Sequence, residues 1–270
     1  MSEQKHQFTH DSFSLSRASS YNLLLQINAG SFNYAICADK QLLAWAENFP
    51  LEELKNPQNL RDVLTANYGQ VIVGLASTGF TLVPTALFDK DRVADLARFL
   101  DVQDNEDVYA QPVDDANVVV YKINQYLSST LNDFDYPVIN YNAKGWIKAV
   151  ANNHPLDKTL YVNLTKDVVE ILNFNNESIR FYNTFTYKNH EELAYYCTFA
   201  ANELALTPDE TTIVLSGDIS DTDRCFTFLK EFFIEVKLNY TEVLSLPQDV
   251  QPHKILTLAA LLLCVSSEED

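Results

Sequence analysis

Two stretches half a chain apart repeat one pattern, and that repetition constrains the fold more than any other feature. From Tyr21 to Phe49 the sequence YNLLLQINAGSFNYAICADKQLLAWAENF reads as three short strands joined by two tight turns. Leu23, Leu25 and Ile27 alternate with Asn22, Leu24 and Gln26, so at least one face of the strand is fully apolar and half-buried at minimum. The turn Asn28-Ala29-Gly30-Ser31 follows, the alternation resumes at Phe32, Tyr34 and Ile36, and a second polar break at Ala38-Asp39-Lys40 leads to a third strand around Leu43 and Trp45. From Thr159 to Phe185 the same meander returns: LYVNL, a turn at Thr165-Lys166-Asp167, VVEILNF, a turn at Asn175-Asn176-Glu177, then SIRFYNTF. The turn asparagines Asn28 and Asn163 are half the chain apart, so they read as equivalent positions.

The elements that follow each meander extend the parallel. In the first half, Leu51 to Tyr68 reads as a helix interrupted or opened by Pro57. QVIVGLA follows as a buried strand, then FTLVP, and a helix over TALFDKDRVADLARFL with Leu87, Val93, Leu96 and Leu100 on its apolar face. VYAQPV and Val118 to Ile123 are further strands, Asn124 to Leu131 a helix, PVINYN a strand, and a helix surrounds Trp146 and Val150. In the second half, Asn189 to Leu206 is helical, TTIVL is a buried strand ending in Ser216-Gly217-Asp218, Thr222 to Phe233 is an amphipathic helix and Ile234 to Leu238 a strand. Ile255 to Val265 is a helix apolar nearly all round, fit for enclosure between other elements. Asn152-Asn153-His154-Pro155 combines turn formers with a helix-stopping proline, which divides the chain into residues 1–153 and 154–270. A meander followed by helix–strand alternation gives a mixed sheet with helices on its faces, so the expected fold is α/β with two such units in tandem.

Composition excludes several functions. The net charge of −18, from 37 acidic against 19 basic residues, argues against nucleic acid and anionic membrane surfaces as partners. Acid runs at Asp101 to Asp107, Asp114-Asp115 and Asp218 to Asp223 read as solvated surface, and none has calcium-loop spacing. Cys37, Cys197, Cys225 and Cys264 are far apart in apolar segments, as buried thiols of a reducing compartment are. The five histidines are scattered, and none has zinc-ligand spacing. The amino terminus does not have the form of a signal peptide, and the longest apolar run is about half a membrane span. A cytoplasmic location is expected.

The segments FTLVPTALF and LYVNLTKDVVEILNFNNESIRFYNTF resemble an uncharacterised family, mostly from Bacteroidetes, described as having an actin-like ATPase fold. The doubled unit is similar to the ribonuclease H-like unit of the actin, Hsp70 and sugar-kinase superfamily. That resemblance implies a nucleotide between two domains, with an Asp-x-Gly-Ser/Thr loop at the first meander turn, a second aspartate at the corresponding turn, and a glycine pair after a later strand. Backbone N–H groups of such turns cradle phosphates, and the carboxylates hold Mg²⁺. The matching positions are Asn28, Gly30 and Ser31 in the first loop, Asn163 and Thr165 in the second, and Ser216, Gly217 and Asp218 after TTIVL. Both expected metal carboxylates are amides, and only one glycine of the pair is kept. The whole chain has 6 glycines, about a third of the usual share of roughly 7%.

Phosphoryl transfer depends on positioning and on the metal's charge, so these losses predict weak turnover or none. The expectation is a non-catalytic scaffold or interaction protein that uses no cofactor and binds an as yet undefined protein partner. The alternative is an active ATPase or small-molecule kinase that binds Mg-ATP with Asp167 and Asp218 as shifted ligands. A nuclease is disfavoured, because Asn28 replaces the first-strand acid and the charge repels the substrate. The ring-rich stretch Asn173 to Tyr187 reads as edge-strand packing, although an exposed strand or aromatic patch could support a homodimer.

Overall fold

The computed structural model describes residues 7–135 and 137–265. In chain order the strands are β1 (Gln7–Thr9), β2 (Asn22–Ile27), β3 (Ser31–Ala38), β4 (Gln41–Pro50), β5 (Gln70–Leu75), β6 (Gly79–Pro84), β7 (Glu106–Pro112), β8 (Asn117–Asn124), β9 (Val138–Tyr141), β10 (Thr159–Leu164), β11 (Val168–Asn175), β12 (Ser178–Thr186), β13 (Thr212–Gly217) and β14 (Glu235–Leu238). The α-helices are α1 (Glu52–Lys55), α2 (Arg61–Leu64), α3 (Val93–Ala97), α4 (Gln125–Ser129), α5 (Ala143–Ala151), α6 (His190–Glu203), α7 (Arg224–Leu229) and α8 (Pro252–Ala259).

Three sheets form, with orders β1-β4-β3-β2-β5-β9, β12-β11-β10-β13-β14 and β6-β8-β7. Apart from β1, the two large sheets share one plan. A meander of two antiparallel pairs is followed by two parallel additions beside its first strand, β2-β5-β9 in one and β10-β13-β14 in the other. Parallel neighbours need long crossovers, and these are supplied by α1 and α2 before β5, by the β6-β8-β7 sheet with α3 and α4 before β9, by α6 before β13 and by α7 before β14. The fold is α/β with two mixed sheets on one plan, as the repeated meander predicts.

The chain packs as two compact units. One comprises Met1–Trp146, Val243–Val250 and Leu258–Asp270, the other Ile147–Glu242 and Gln251–Thr257. The expectation from sequence places a single division at 153/154. The packing instead divides α5 and α8 within their lengths. In the second unit Leu160, Val162, Leu164, Val169, Ile171, Ile213 and Leu215 pack with Leu193, Cys197 and Ala200 of α6, Leu204 just after it, and Phe226 and Leu229 of α7. These are the alternate positions of each strand, so period-two patterning places this core directly.

Several helices are shorter than their apolar spacing predicts. Leu51 to Tyr68 breaks at Asn56–Leu60, where the Glu53 carboxylate accepts the N–H groups of Gln58, Asn59 and Leu60 and replaces helical bonds. The expected helix over 85–100 is three 3-10 turns and the short α3. Asp89 caps the N–H of Asp91 and restarts the chain, and Asp101 at φ 48° ends it. Val93 and Leu96 pack on Val83, Leu100 and Val120 as expected, but Leu87 is 75% exposed. The Thr222 to Phe233 segment is helical only over α7. Ile255 to Val265 is α8 continued by a 3-10 turn, with Ile255, Leu256, Leu258, Ala259, Ala260, Leu261 and Cys264 buried. No helix among the described residues is long and apolar enough to cross a membrane.

The small sheet β6-β8-β7 carries a buried ion pair. Lys122 Nζ donates to Glu106 Oε2 at 2.8 Å and to the Asp101 carbonyl at 2.9 Å, with 10% and 7% of the Lys122 and Glu106 side chains exposed. The Thr78 hydroxyl and the Gln103 N–H also donate to the Glu106 carboxylate. Burial alone would raise this carboxyl, but Lys122 and the other donors hold it at about 2. Glu106 belongs to the acid run read as solvated surface, so that reading fails at this residue.

Candidate functional site

In parallel strands all carboxyl ends meet at one edge of the sheet, where backbone groups open and loops can take a ligand. At this edge of the first unit, Ile27, Leu75 and Tyr141 are in register across β2, β5 and β9. The Asn28 turn is closed by the Asn28 N–H donating to the Ser31 carbonyl at 2.8 Å. The Ala76 N–H bonds the Ile27 carbonyl at 2.9 Å, and the Asn142 N–H bonds the Leu75 carbonyl at 3.1 Å. Gly30 is exposed and a Cβ there would meet nothing within 4 Å, so its backbone is open to approach. The structure thus brings Asn28, Gly30 and Ser31 together in one open turn. A recess of about 220 Å³ lined by His10, Gln41, Leu42, Ser245, Leu246 and Pro247 lies at the opposite end of this sheet.

In the second unit, β10 and β13 bring Asn163 opposite Ser216 and Leu164 opposite Gly217. Asn163, Thr165, Ser216, Gly217 and Asp218 therefore gather at one edge. The Asp218 N–H donates to the Leu164 carbonyl at 2.8 Å. Gly217 has φ 89°, and a Cβ there would stand 2.0 Å from the Leu164 carbonyl oxygen. This position requires glycine to let two backbones approach. Thr165 closes its turn twice, through its N–H and its hydroxyl, both to the Val168 carbonyl. Ser216 is buried, and its Oγ accepts from Asn239 Nδ2 at 3.1 Å. Asp167 and Asp218 are exposed. Among the described residues no three His, Cys, Asp or Glu side chains gather at metal-binding distance.

Asn163 faces inward. It is 2% exposed, its Nδ2 donates to Glu170 Oε2 at 2.6 Å, and its Oδ1 accepts from Thr257 Oγ1 at 3.3 Å. Tyr182 adds a hydroxyl donor to Glu170 Oε1 at 2.8 Å. Burial raises the Glu170 carboxyl above its usual range against the opposing pull of these two donors. Nearby, His253 Nε2 lies 2.8 Å from the Ile219 carbonyl and ties α8 to the loop after Asp218. Burial holds this imidazole below its ordinary value. Glu170, Tyr182 and Thr257 were not singled out from sequence. The signal for Glu170 was available, because counting back from the Thr165–Val168 turn pairs Asn163 with Glu170.

The same count corrects the correspondence between the halves. Asn28 bonds Ser31 as Thr165 bonds Val168, and Gln26 pairs with Asn33 as Asn163 pairs with Glu170. The paired side chains bond across the strands in both units, though with donor and acceptor exchanged: Asn33 Nδ2 donates to Gln26 Oε1 at 3.1 Å, whereas Asn163 donates to Glu170. Asn28 therefore corresponds to Thr165 and Asn163 to Gln26, two residues away from the alignment that the turn asparagines suggest.

The family described as "Protein of unknown function (DUF3822)" matches residues 10–236. The chain belongs to that family. Among solved structures it is similar to a Bacteroides thetaiotaomicron protein with actin-like ATPase fold and unknown function. The TM-score is 0.78 at 20% identity, over 94% of this chain and 99% of that one. It is also similar to a structure of the PilM-PilN type IV pilus biogenesis complex, with a TM-score of 0.61 at 11% identity, over 90% and 96% of the two chains. No curated protein matches this sequence significantly. The DUF3822 chain thus has the actin-like ATPase fold, as the resemblance of its segments implies.

Proposed function

We propose that this DUF3822 protein is a non-catalytic interaction protein, built on a duplicated ribonuclease H-like unit whose nucleotide loops have been given over to structure. The observation that carries this reading is Asn163. A carboxylate that holds a metal must face the ligand, whereas this carboxamide is buried, with its donor on Glu170 and its acceptor on Thr257. An aspartate here would set a second acid against Glu170, a like-charge pair that the interior does not favour. Asn28 removes the other expected acid, and Gly217 is used for backbone approach to Leu164. The fold also serves in protein complexes, as the PilM-PilN structure illustrates. With a charge of −18, the partner is a protein rather than a nucleic acid or an anionic membrane.

Calorimetric titration with ATP, with and without Mg²⁺, tests the proposal. The expected result is no heat at millimolar nucleotide. Mg²⁺-dependent ATP hydrolysis that Gly30→Trp abolishes would overturn it. A second reading, an ATPase or small-molecule kinase with shifted ligands, draws on Asp167 and Asp218, which are exposed at the same sheet edge as Gly217. It predicts an activity lost in Asp167→Ala and Asp218→Ala.

A further inference from the structure

β12 forms one edge of the second unit's sheet, and among the described residues no strand pairs with its outer side. An open edge presents unpaired N–H and C=O groups, which proteins commonly guard with lysine, proline or a bulge. The β12 sequence SIRFYNTFT has neither lysine nor proline. Its single charge, Arg180, is turned onto the Leu204 carbonyl at 2.7 Å. Its one irregularity against β11 falls opposite Asn173/Phe174, which leaves the run from Phe181 to Thr186 regular, with the Thr184 N–H held by the exposed Asn183 Oδ1 at 2.9 Å, a local contact that an added strand displaces.

Beside this edge four rings pile up. Phe185 of β12 stacks on Tyr196 of α6 at 4.6 Å and 13°, and Phe199 meets Phe185 edge-on at 6.4 Å. Tyr195 lies parallel to Phe199 at 6.2 Å and touches Tyr196. The outer two rings are displayed, with Tyr195 62% and Phe199 39% exposed.

Size and charge select the occupant. Aromatic side chains bury about 150–250 Å² each, so at these exposures the pair offers roughly 200 Å². Stable association of two folded chains takes about 800 Å² from each. A second copy would also bring −18 against −18. An extended peptide needs only a strand edge and a few anchors. Acids outnumber bases around the rings: Glu191, Glu192 and Glu203 stand at the two ends of α6, against the exposed Lys188 between β12 and α6. Tyr187, next after β12, has its hydroxyl raised to about 12 by burial, then by Cys225, Asp218, Asp167 and Asp223.

The geometry points to β12 and the α6 rings as the docking site for an extended, arginine- or lysine-bearing segment of a partner protein. The segment joins the sheet as a further strand and lays a cationic side chain on Tyr195 and Phe199. This deepens the interaction reading above and rests on it.

The test is fluorescence polarisation of the full chain with a labelled heptapeptide of alternating arginine and valine. Two control peptides replace arginine by glutamate, or valine by proline. Saturable binding of the arginine–valine peptide alone is expected, weakened about tenfold or more in Tyr195→Ser/Phe199→Ser, which leaves the net charge unchanged. No binding at millimolar peptide overturns the assignment. Equal binding by the double variant, or of the proline peptide, overturns it as well, since it would be general attraction to an acidic surface. Dimerisation in sedimentation velocity that the double variant abolishes would give the site to a second copy instead. ATP turnover would remove the non-catalytic reading without changing any of these outcomes. Failure of the peptide with a silent ATP titration would remove only this site.

Discussion

Replacing Lys122 by methionine should destabilise the small sheet far more than replacing both members of its ion pair. Methionine keeps most of the apolar stem but removes the ammonium that donates to Glu106 Oε2 at 2.8 Å. Glu106 then keeps only the Thr78 hydroxyl and the Gln103 N–H, in a site where 7% of its side chain is exposed. Moving a carboxyl from 4.5 to about 2 favours its ionised form by about 3 kcal/mol, at roughly 1.4 kcal/mol per pH unit. Breaking a buried pair from one side costs about 3–5 kcal/mol, whereas replacing both partners by groups of similar shape is often near neutral. Lys122→Met should therefore cost about 3 kcal/mol at pH 7, and the double variant Glu106→Gln/Lys122→Met should recover about 2 kcal/mol of that. Urea unfolding of the two single variants and the double gives the coupling, and hydrogen exchange of the β7 and β8 amides localises it. The sign with pH is fixed as well. Because the folded value lies below the ordinary one, the stabilisation is present above about 4.5 and is lost as pH falls towards 2. A coupling below about 0.5 kcal/mol would refute the argument, since the pair would then behave as an exposed one.

Gly217→Ala should destabilise the second unit by about 3 kcal/mol or more, because φ 89° and a backbone oxygen at 2.0 Å leave the methyl no space; a melt within 1 °C of wild type would contradict this. Gly30→Trp should leave the melt unchanged, since its Cβ meets nothing within 4 Å, and a large loss would show that the turn is packed. Glu170→Gln should flatten the stability profile at neutral and alkaline pH. A carboxyl raised by folding stabilises most below its ordinary value, and that contribution is lost as pH rises through the folded one. The glutamine variant should match wild type below about pH 4.5 and exceed it at pH 8, with Asn163 turning its amide to suit; a wild type that is the more stable at pH 8 would count against a raised Glu170.

The sheets were legible because alternation is local. Val169 and Ile171 carry their burial in their own spacing, whereas β2 is covered on both faces, with Leu24 and Gln26 buried beside Leu23, Leu25 and Ile27. The helices were less so, because a carboxylate such as Glu53 can take three backbone N–H groups and end a helix that the apolar spacing would continue. Leu87 reads as part of an apolar face only while the helix over 85–100 is unbroken. At the candidate site, letters misled where register would not have. Asn28 and Asn163 look alike, yet one lies in an open turn and the other in a strand with its side chain inward. Glu106 failed for a different reason, because its partner Lys122 lies 16 residues on and only the β7–β8 pairing brings them together.

The division of α8 between the units has a consequence for how the protein is made. Residues 258–264 close the first unit, with the Ala260 backbone so near Gly145 that a Cβ there would stand 2.5 Å from its carbonyl oxygen, and with Leu261 against Gly74. During synthesis the chain emerges from its amino end at about 5–20 residues per second. The second unit's strands all lie between Thr159 and Leu238, so its sheet is available before the ribosome has produced the residues that seal the first. The half of the protein that is translated first is therefore the half that is finished last. Removing residues 258–264 will open the core of the first unit, although they follow the second in sequence.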